Sequence, residues 1–110
     1  MGMKKVLSLI CILISFHSYA DDDKYKICFI NGYYSGEDDK FMMGLATHIV
    51  VREKLYTDPM CTAAHRVAYD VGVKFSTTGK YDSEQEMKIT GYAADFREGV
   101  NKAIVDLIEY

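Results

Sequence analysis

Two cysteines, Cys28 and Cys61, constrain the fold of this chain more than any other sequence feature. The third, Cys11, lies in an N-terminal segment that is typical of a secretory signal, so an even pair remains once that segment is removed. In an oxidising compartment such a pair is expected to form a disulfide. The bond would close a loop of about 33 residues. In the chain-entropy model such a bond stabilises the folded state by roughly 3 to 4 kcal/mol.

The N-terminal twenty residues have the three parts of a signal peptide. Lys4 and Lys5 provide the positive start, Val6 to Phe16 is an apolar core, and Ser18 and Ala20 place small residues before a cleavage site. The apolar run is about 11 residues, whereas a membrane span needs about 20. We therefore predict a signal peptide over 1–20, a single domain over 21–110, a periplasmic or secreted location, and no stable membrane insertion.

The charge of the predicted mature chain argues against nucleic acid as a ligand. After residue 20 the chain keeps 11 basic and 16 acidic residues, a formal charge of −5. Duplex binding depends on clustered Lys and Arg that neutralise phosphates, and here the basic residues are single and interleaved with acidic ones.

Helical periodicity covers most of the mature chain. Asp58 followed by Pro59 is a typical helix start, and it predicts a helix over 59–75 that the sequence Ser76 to Gly79 ends. A second helix is predicted over 38–56 and a long final one from the S-x-x-E capping box at Ser83 to the C-terminus. The predicted buried stripes of these three helices are, in chain order, Phe41, Met42, Leu45, Ile49 and Tyr56; Cys61, Ala64, Ala68, Val71, Gly72 and Phe75; and Ile89, Ala93, Phe96, Val100, Ala103, Ile104 and Leu107.

The stretch I-C-F-I-N-G-Y-Y-S-G around Asn31 and Gly32 allows two interpretations. An Asn-Gly pair between apolar residues is a strong hairpin signal, but only about two residues could pair on its far side, whereas strands average five or six. As a helix over 23–34, with Gly36 as its C-terminal stop, the stretch turns Cys28 inward. We predict an all-α, disulfide-linked bundle of about four helices; an α+β fold with an N-terminal hairpin is the alternative.

No motif for catalysis or metal binding is present. His48 and His65 are the only histidines of the mature chain, and neither stands beside a nucleophile motif. Met43 and Met60 are each five positions before a histidine, whereas helical metal ligands usually recur every four. We predict no enzyme activity, no cofactor and no metal site.

The aromatic composition is more informative. The chain has nine tyrosines and no tryptophan, and tyrosine suits interfaces because it buries a large area and keeps a polar tip. Ordinary half-buried core positions are the alternative role. The candidate partner-binding residues are Tyr33, Tyr34, Glu37, Asp38 and Asp39, an acidic-aromatic patch for a protein partner.

The layout Cys28-x-x-x-Gly32-Tyr33-x-x-Gly36, followed by Cys61 at the head of a helix, resembles that of small periplasmic immunity proteins that neutralise amidase effectors of type VI secretion. The resemblance implies an all-helical, non-enzymatic binder of a secreted toxin and assigns no binding residue. We predict an exported binding or inhibitory protein that occludes a protein partner. A periplasmic acid-stress chaperone is the alternative and a small hydrolase the third hypothesis.

Overall fold

Four α-helices make up the part of the chain that the computed structural model describes, residues 23–108. No strand occurs among these residues, so the predicted all-α bundle is confirmed and the hairpin alternative at Asn31-Gly32 is wrong. The predicted signal peptide, residues 1–20, lies outside the described residues. The helices are α1 (23–37), α2 (Lys40–Arg52), α3 (Pro59–Thr78) and α4 (Glu84–Ile108).

Helices α1 and α3 run parallel and touch along their backbones. Near their N-terminal ends Cys28 and Cys61 form the predicted disulfide, with Cα atoms 5.4 Å apart. One turn further on, a Cβ atom at Gly32 would lie 2.1 Å from the carbonyl oxygen of His65. One more turn on, a Cβ atom at Gly36 would lie 2.2 Å from the carbonyl oxygen of Tyr69. Only glycine fits at these two positions, since real Cβ atoms do not approach other atoms so closely.

Gly36 is therefore a packing residue, and the prediction that it ends α1 is wrong. The helix continues to residue 37, and Asp38 takes the left-handed backbone conformation with φ 61°. The Asp38 N–H donates to Ser35 O and the Asp39 N–H to Tyr34 O, the bonds of a Schellman motif. Asp38 thus has the position that glycine usually occupies in this motif.

Helix α2 is shorter than the predicted 38–56, and its predicted stripe is buried only in part. Its end repeats the Schellman pattern, because Lys54 has φ 59° and the Leu55 N–H donates to Val50 O. Met42 and Ala46 are buried, whereas the predicted core residues Phe41 and Tyr56 are exposed by 59% and 63%. Tyr56 lies beyond the helix end and so does not continue its periodicity.

Helix α3 begins as predicted. The Asp58 carboxylate accepts the Met60 N–H at 2.9 Å and also the hydroxyl of Tyr25 on α1 at 2.7 Å. The helix runs three residues past the predicted Phe75 and ends at Gly79, whose φ is 69°. In the last turn the Thr77 and Thr78 hydroxyls donate to the carbonyl oxygens of Val73 and Lys74, so both side chains have partners within the helix. The predicted stripe is buried from Cys61 to Gly72, with Phe75 packed at its edge.

Helix α4 packs against α1, where Tyr34 meets Ala93, and against the end of α3, where Lys74 meets Glu86. In its first turn the Glu86 N–H donates to Ser83 Oγ at 3.2 Å, which is half of the predicted capping box. The Glu86 carboxylate accepts from the Asp82 N–H at 2.6 Å, not from Ser83. Ile89 and Ala93 are buried, and Phe96 and Val100 pack beside them.

The C-terminal part of α4 does not pack on the bundle. Residues 101–108 are all exposed, so the helix projects about 12 Å beyond its last packed turn. The prediction that the buried stripe continues through Ala103, Ile104 and Leu107 is wrong, and Leu107 is 77% exposed. The other helices end before this point and leave these side chains without a surface to cover them.

Candidate binding site

The two candidate tyrosines lie in the core. Tyr33 is 5% and Tyr34 2% exposed, and both belong to the main cluster of buried residues. Their rings meet edge to face with centroids 5.4 Å apart. The prediction that both rings stand on the surface as partner anchors is corrected accordingly, because they belong to the interior face of α1.

Tyr34 joins α1 to α4. Its hydroxyl donates to the Ala93 carbonyl oxygen at 2.6 Å, and the Arg97 guanidinium lies over its ring, 5.2 Å from the centroid. Burial raises the pKa of Tyr34, and Arg97 opposes that shift. This tyrosine is therefore a neutral hydrogen-bond donor that positions α4.

The three acidic residues after Tyr34 differ in role. Asp39 caps α2 by accepting the Met42 N–H at 3.1 Å, and its other oxygen accepts from Arg97. Burial would raise the pKa of Asp39, but the Met42 N–H and Arg97 outweigh that effect and lower it. Asp38 is exposed in the turn. Glu37 is half-buried, and its carboxylate is close enough to Tyr33 to help burial raise the pKa of that phenol.

An open cleft of about 460 Å³ lies between α1, the end of α3 and the middle of α4. Its floor and one wall are aromatic: the Tyr33 and Phe75 ring centroids are 6.3 Å apart, and Phe75 stacks on Tyr81 at 5.6 Å with 13° between the planes. Met87 adds an apolar side chain to the lining. Glu37 and Arg97 supply its charged groups. We call this feature the aromatic cleft.

A charged cluster holds the loop that carries Tyr81. Lys74 on α3 forms ion pairs with Asp82 of the loop and, at 3.1 Å, with Glu86 of α4. These two carboxylates raise the pKa of Lys74. The Asp82 N–H, followed by Lys74, lowers the pKa of Glu86. The cluster keeps the loop against α4 and so fixes the edge of the aromatic cleft.

One serine and one histidine approach each other, a pair that sequence spacing did not suggest. Ser35 Oγ lies 3.5 Å from His65 Nε2, but the hydroxyl donates to Asn31 O at 2.9 Å. Burial lowers the pKa of His65. Nucleophilic catalysis also needs a third group that orients the base, and within 23–108 no carboxylate accepts a hydrogen bond from the His65 ring. The pair fits a packing role at the α1–α3 contact.

Among the described residues no group of three His, Cys, Asp or Glu side chains could hold a metal ion. Another groove, of about 200 Å³, lies between α1, α3 and the start of α4, where Phe29, Met60 and Val67 form an apolar lining. No helix within 23–108 has an apolar stretch long enough to cross a bilayer.

The structure brings together residues that are distant in sequence. Glu37 and Tyr33 were predicted as site residues from their local cluster, whereas Phe75, Tyr81 and Arg97 were missed. Phe75 was assigned to the core stripe, and no local pattern distinguishes Arg97 from other helix cations.

Comparisons of the chain with protein-family models, with curated proteins and with solved structures gave no match.

Proposed function

We propose that this chain is an exported, non-enzymatic protein that binds a protein partner through the aromatic cleft and occludes part of the partner's surface. The observation that carries the proposal is the cleft itself, an open cavity of about 460 Å³ walled by aromatic rings. Tyrosine and arginine are enriched among residues that dominate binding energy. The inhibitory role is what the resemblance of the Cys28, Gly32 and Gly36 layout to small periplasmic immunity proteins implies.

The rings that wall the cleft are fixed before any partner arrives. Tyr33 is held in the core, Phe75 packs against Tyr33, and Tyr81 stacks on Phe75. A preorganised surface loses little conformational entropy on binding, which raises affinity for a given contact area. This rigidity supports a binding role better than it supports a mobile catalytic loop.

The test is affinity capture of the partner followed by reconstitution. The tagged, exported protein is used as bait in envelope extracts and with the product of any neighbouring toxin-like gene, and each retained protein is purified and titrated by calorimetry. We expect one partner whose affinity falls at least about tenfold with Tyr81→Ala, the loss expected at a binding hot spot. Tyr56→Ala is the matched control, because Tyr56 is also an exposed tyrosine and lies on the α2–α3 connection.

The proposal fails if Tyr81→Ala and Tyr56→Ala bind every captured protein as wild type does. It also fails if the chain inhibits no activity of its captured partner at saturating concentration. Circular dichroism of both variants checks that the helices are intact.

An acid-stress chaperone is the second candidate, and one observation favours it. Asp39, Asp58 and Glu86 lie at the starts of α2, α3 and α4, each accepts a bond from another helix or from the preceding loop, and each has a lowered pKa. Protonation would release these contacts together. Suppression of client aggregation at about pH 2 to 3, absent at pH 7, would favour this candidate over the first.

A further inference from the structure

We propose that the aromatic cleft receives a cationic side chain, Lys or Arg, that projects from the protein partner. This inference rests on the proposed function and specifies the chemistry of the partner at the same site. Its basis is the combination of aromatic faces, one carboxylate and an apolar side chain in a single opening.

The aromatic faces suit a cation. A ring carries negative charge density on its faces, so an ammonium or guanidinium within about 6 Å of a centroid is attracted to it. Phe75 and Tyr81 are stacked in parallel at 5.6 Å, and together with Tyr33 they line the opening. Tyr81 is 43% exposed, so this end of the stack is accessible to a partner.

Of the two charged groups that line the opening, only the carboxylate lacks an ion-pair partner among the described residues. Arg97 is the basic residue among the described groups that line it, and its guanidinium is paired with Asp39 and lies over Tyr34. Glu37 is the remaining charged group of the lining, and within 23–108 it forms no ion pair. An anionic ligand would face this carboxylate and would have to take Arg97 from Asp39, whereas a cation would meet Glu37 directly.

The fold already contains one example of the proposed arrangement. The Arg97 guanidinium lies over the Tyr34 ring at 5.2 Å while Asp39 accepts its N–H groups. Glu37, Tyr33 and Tyr81 line the cleft and supply the same two elements, aromatic rings and a carboxylate. The Met87 side chain, which is 54% exposed, suits the methylene stem of the incoming side chain.

The test uses blocked single amino acids as probes. N-acetyl arginine N-methylamide and its lysine analogue are titrated into the isotopically labelled protein, and amide shifts are followed by NMR. We expect saturable, millimolar binding with shifts concentrated at Tyr33, Glu37, Tyr81 and Met87. Glu37→Gln and Tyr81→Leu should each weaken it about three- to tenfold. Glu53→Gln is the control, because Glu53 is an exposed glutamate on the α2–α3 connection, and it should bind as wild type.

The neutral norleucine analogue separates charge from apolar packing. Equal binding of norleucine and arginine amides, unchanged binding by Glu37→Gln, or no saturable shift in the cleft would each overturn the inference. If a partner depends on Tyr81 while the cationic probes do not bind, the proposed function stands and the cation inference fails. If the probes bind the cleft and no partner depends on Tyr81, the proposed function fails and the cation preference of the cleft stands.

Discussion

The backbone of Gly32 lies against the backbone of His65, so that a Cβ atom on Gly32 would be 2.1 Å from the His65 carbonyl oxygen. The contact repeats along the crossing, since a Cβ atom at Gly72 would lie 2.2 Å from the Tyr33 carbonyl oxygen. Because backbone atoms cannot rotate away as a flexible side chain can, α1 and α3 must separate if any of these glycines gains a side chain.

Gly32→Ala should therefore destabilise the protein although alanine is the better helix former. We expect the free energy of unfolding to fall by about 1 to 3 kcal/mol or more, the usual cost of overpacking a well-packed contact. Gly44→Ala and Gly99→Ala are matched controls, because nothing lies within 4 Å of a Cβ atom there. In urea denaturation they should raise stability by up to about 1 kcal/mol. A Gly32→Ala protein as stable as the controls would contradict the close crossing.

Removing the disulfide by the double change Cys28→Ala and Cys61→Ala should lower the free energy of unfolding by about 2 to 5 kcal/mol. The reason is that the open chain regains the entropy of a loop spanning 33 positions. Each single variant should lose the same amount relative to the oxidised wild type, because either change opens the same loop. Unequal losses would show that one cysteine contributes by packing beyond its role in the bond.

Tyr34→Phe should lower the free energy of unfolding by about 0.5 to 1.5 kcal/mol, because it removes the hydrogen bond to Ala93 and leaves the ring in place. Tyr69→Phe is the matched control, because Tyr69 is 44% exposed on α3, and its stability should remain within about 0.5 kcal/mol of wild type. Thermal and urea denaturation measure both. Equal effects of the two changes would show that the Tyr34 hydroxyl contributes nothing specific.

His65 should make stability depend on mildly acidic pH. Burial lowers its pKa in the folded state, so the unfolded chain, with a pKa near 6.5, binds a proton first. Stability from this group is complete above about pH 6.5 and declines as pH falls toward the lower folded pKa. His65→Gln should reduce this decline of stability with falling pH. His48→Gln, at an exposed position of α2, should leave the decline unchanged. A decline unchanged by His65→Gln would contradict this assignment.

At still lower pH, Asp39 should cause a second loss of stability. Its folded pKa is lowered, so its contribution is present above the unfolded value near pH 3.9 and is lost as pH falls further. Asp39→Asn retains the capping oxygen and removes the charge facing Arg97. We expect this variant to be less stable at pH 7 and to lose less stability than wild type between pH 5 and pH 2, measured by circular dichroism during acid titration. Parallel profiles would argue against this role.

The sequence predicts local structure well in this protein and three-dimensional neighbours less well. The disulfide and the start of α3 follow from residue types that have few other uses, a lone cysteine pair and an Asp-Pro step. Gly36 was predicted as a helix end because glycine has that role in many helices, and only the distance to Tyr69 shows otherwise. The burial of Tyr34 depends on Ala93, 59 positions away, which no local pattern reveals.

The aromatic cleft was predictable only in part, because some of its residues are neighbours in sequence and others are not. Glu37 and Tyr33 belong to a visible local cluster, but Tyr81 and Arg97 join them only because the loop after α3 and helix α4 pack near α1. The exposed end of α4 was mispredicted because its apolar periodicity continues past the point where α1 and α2 stop. Periodicity shows which face of a helix is apolar but not how far the rest of the protein extends to cover it.

The bond between Cys28 and Cys61 makes the chain between them a closed covalent ring that contains all of α2. The last residue of α2, Arg52, and the turn after it, Glu53 and Lys54, are exposed and lie within this ring. A protease that cuts there opens the ring without dividing the molecule, and both new ends stay tethered to the α1–α3 pair. The two fragments of a nicked protein would therefore stay covalently linked, with the residues of the aromatic cleft in one molecule. They would separate only after reduction of the disulfide.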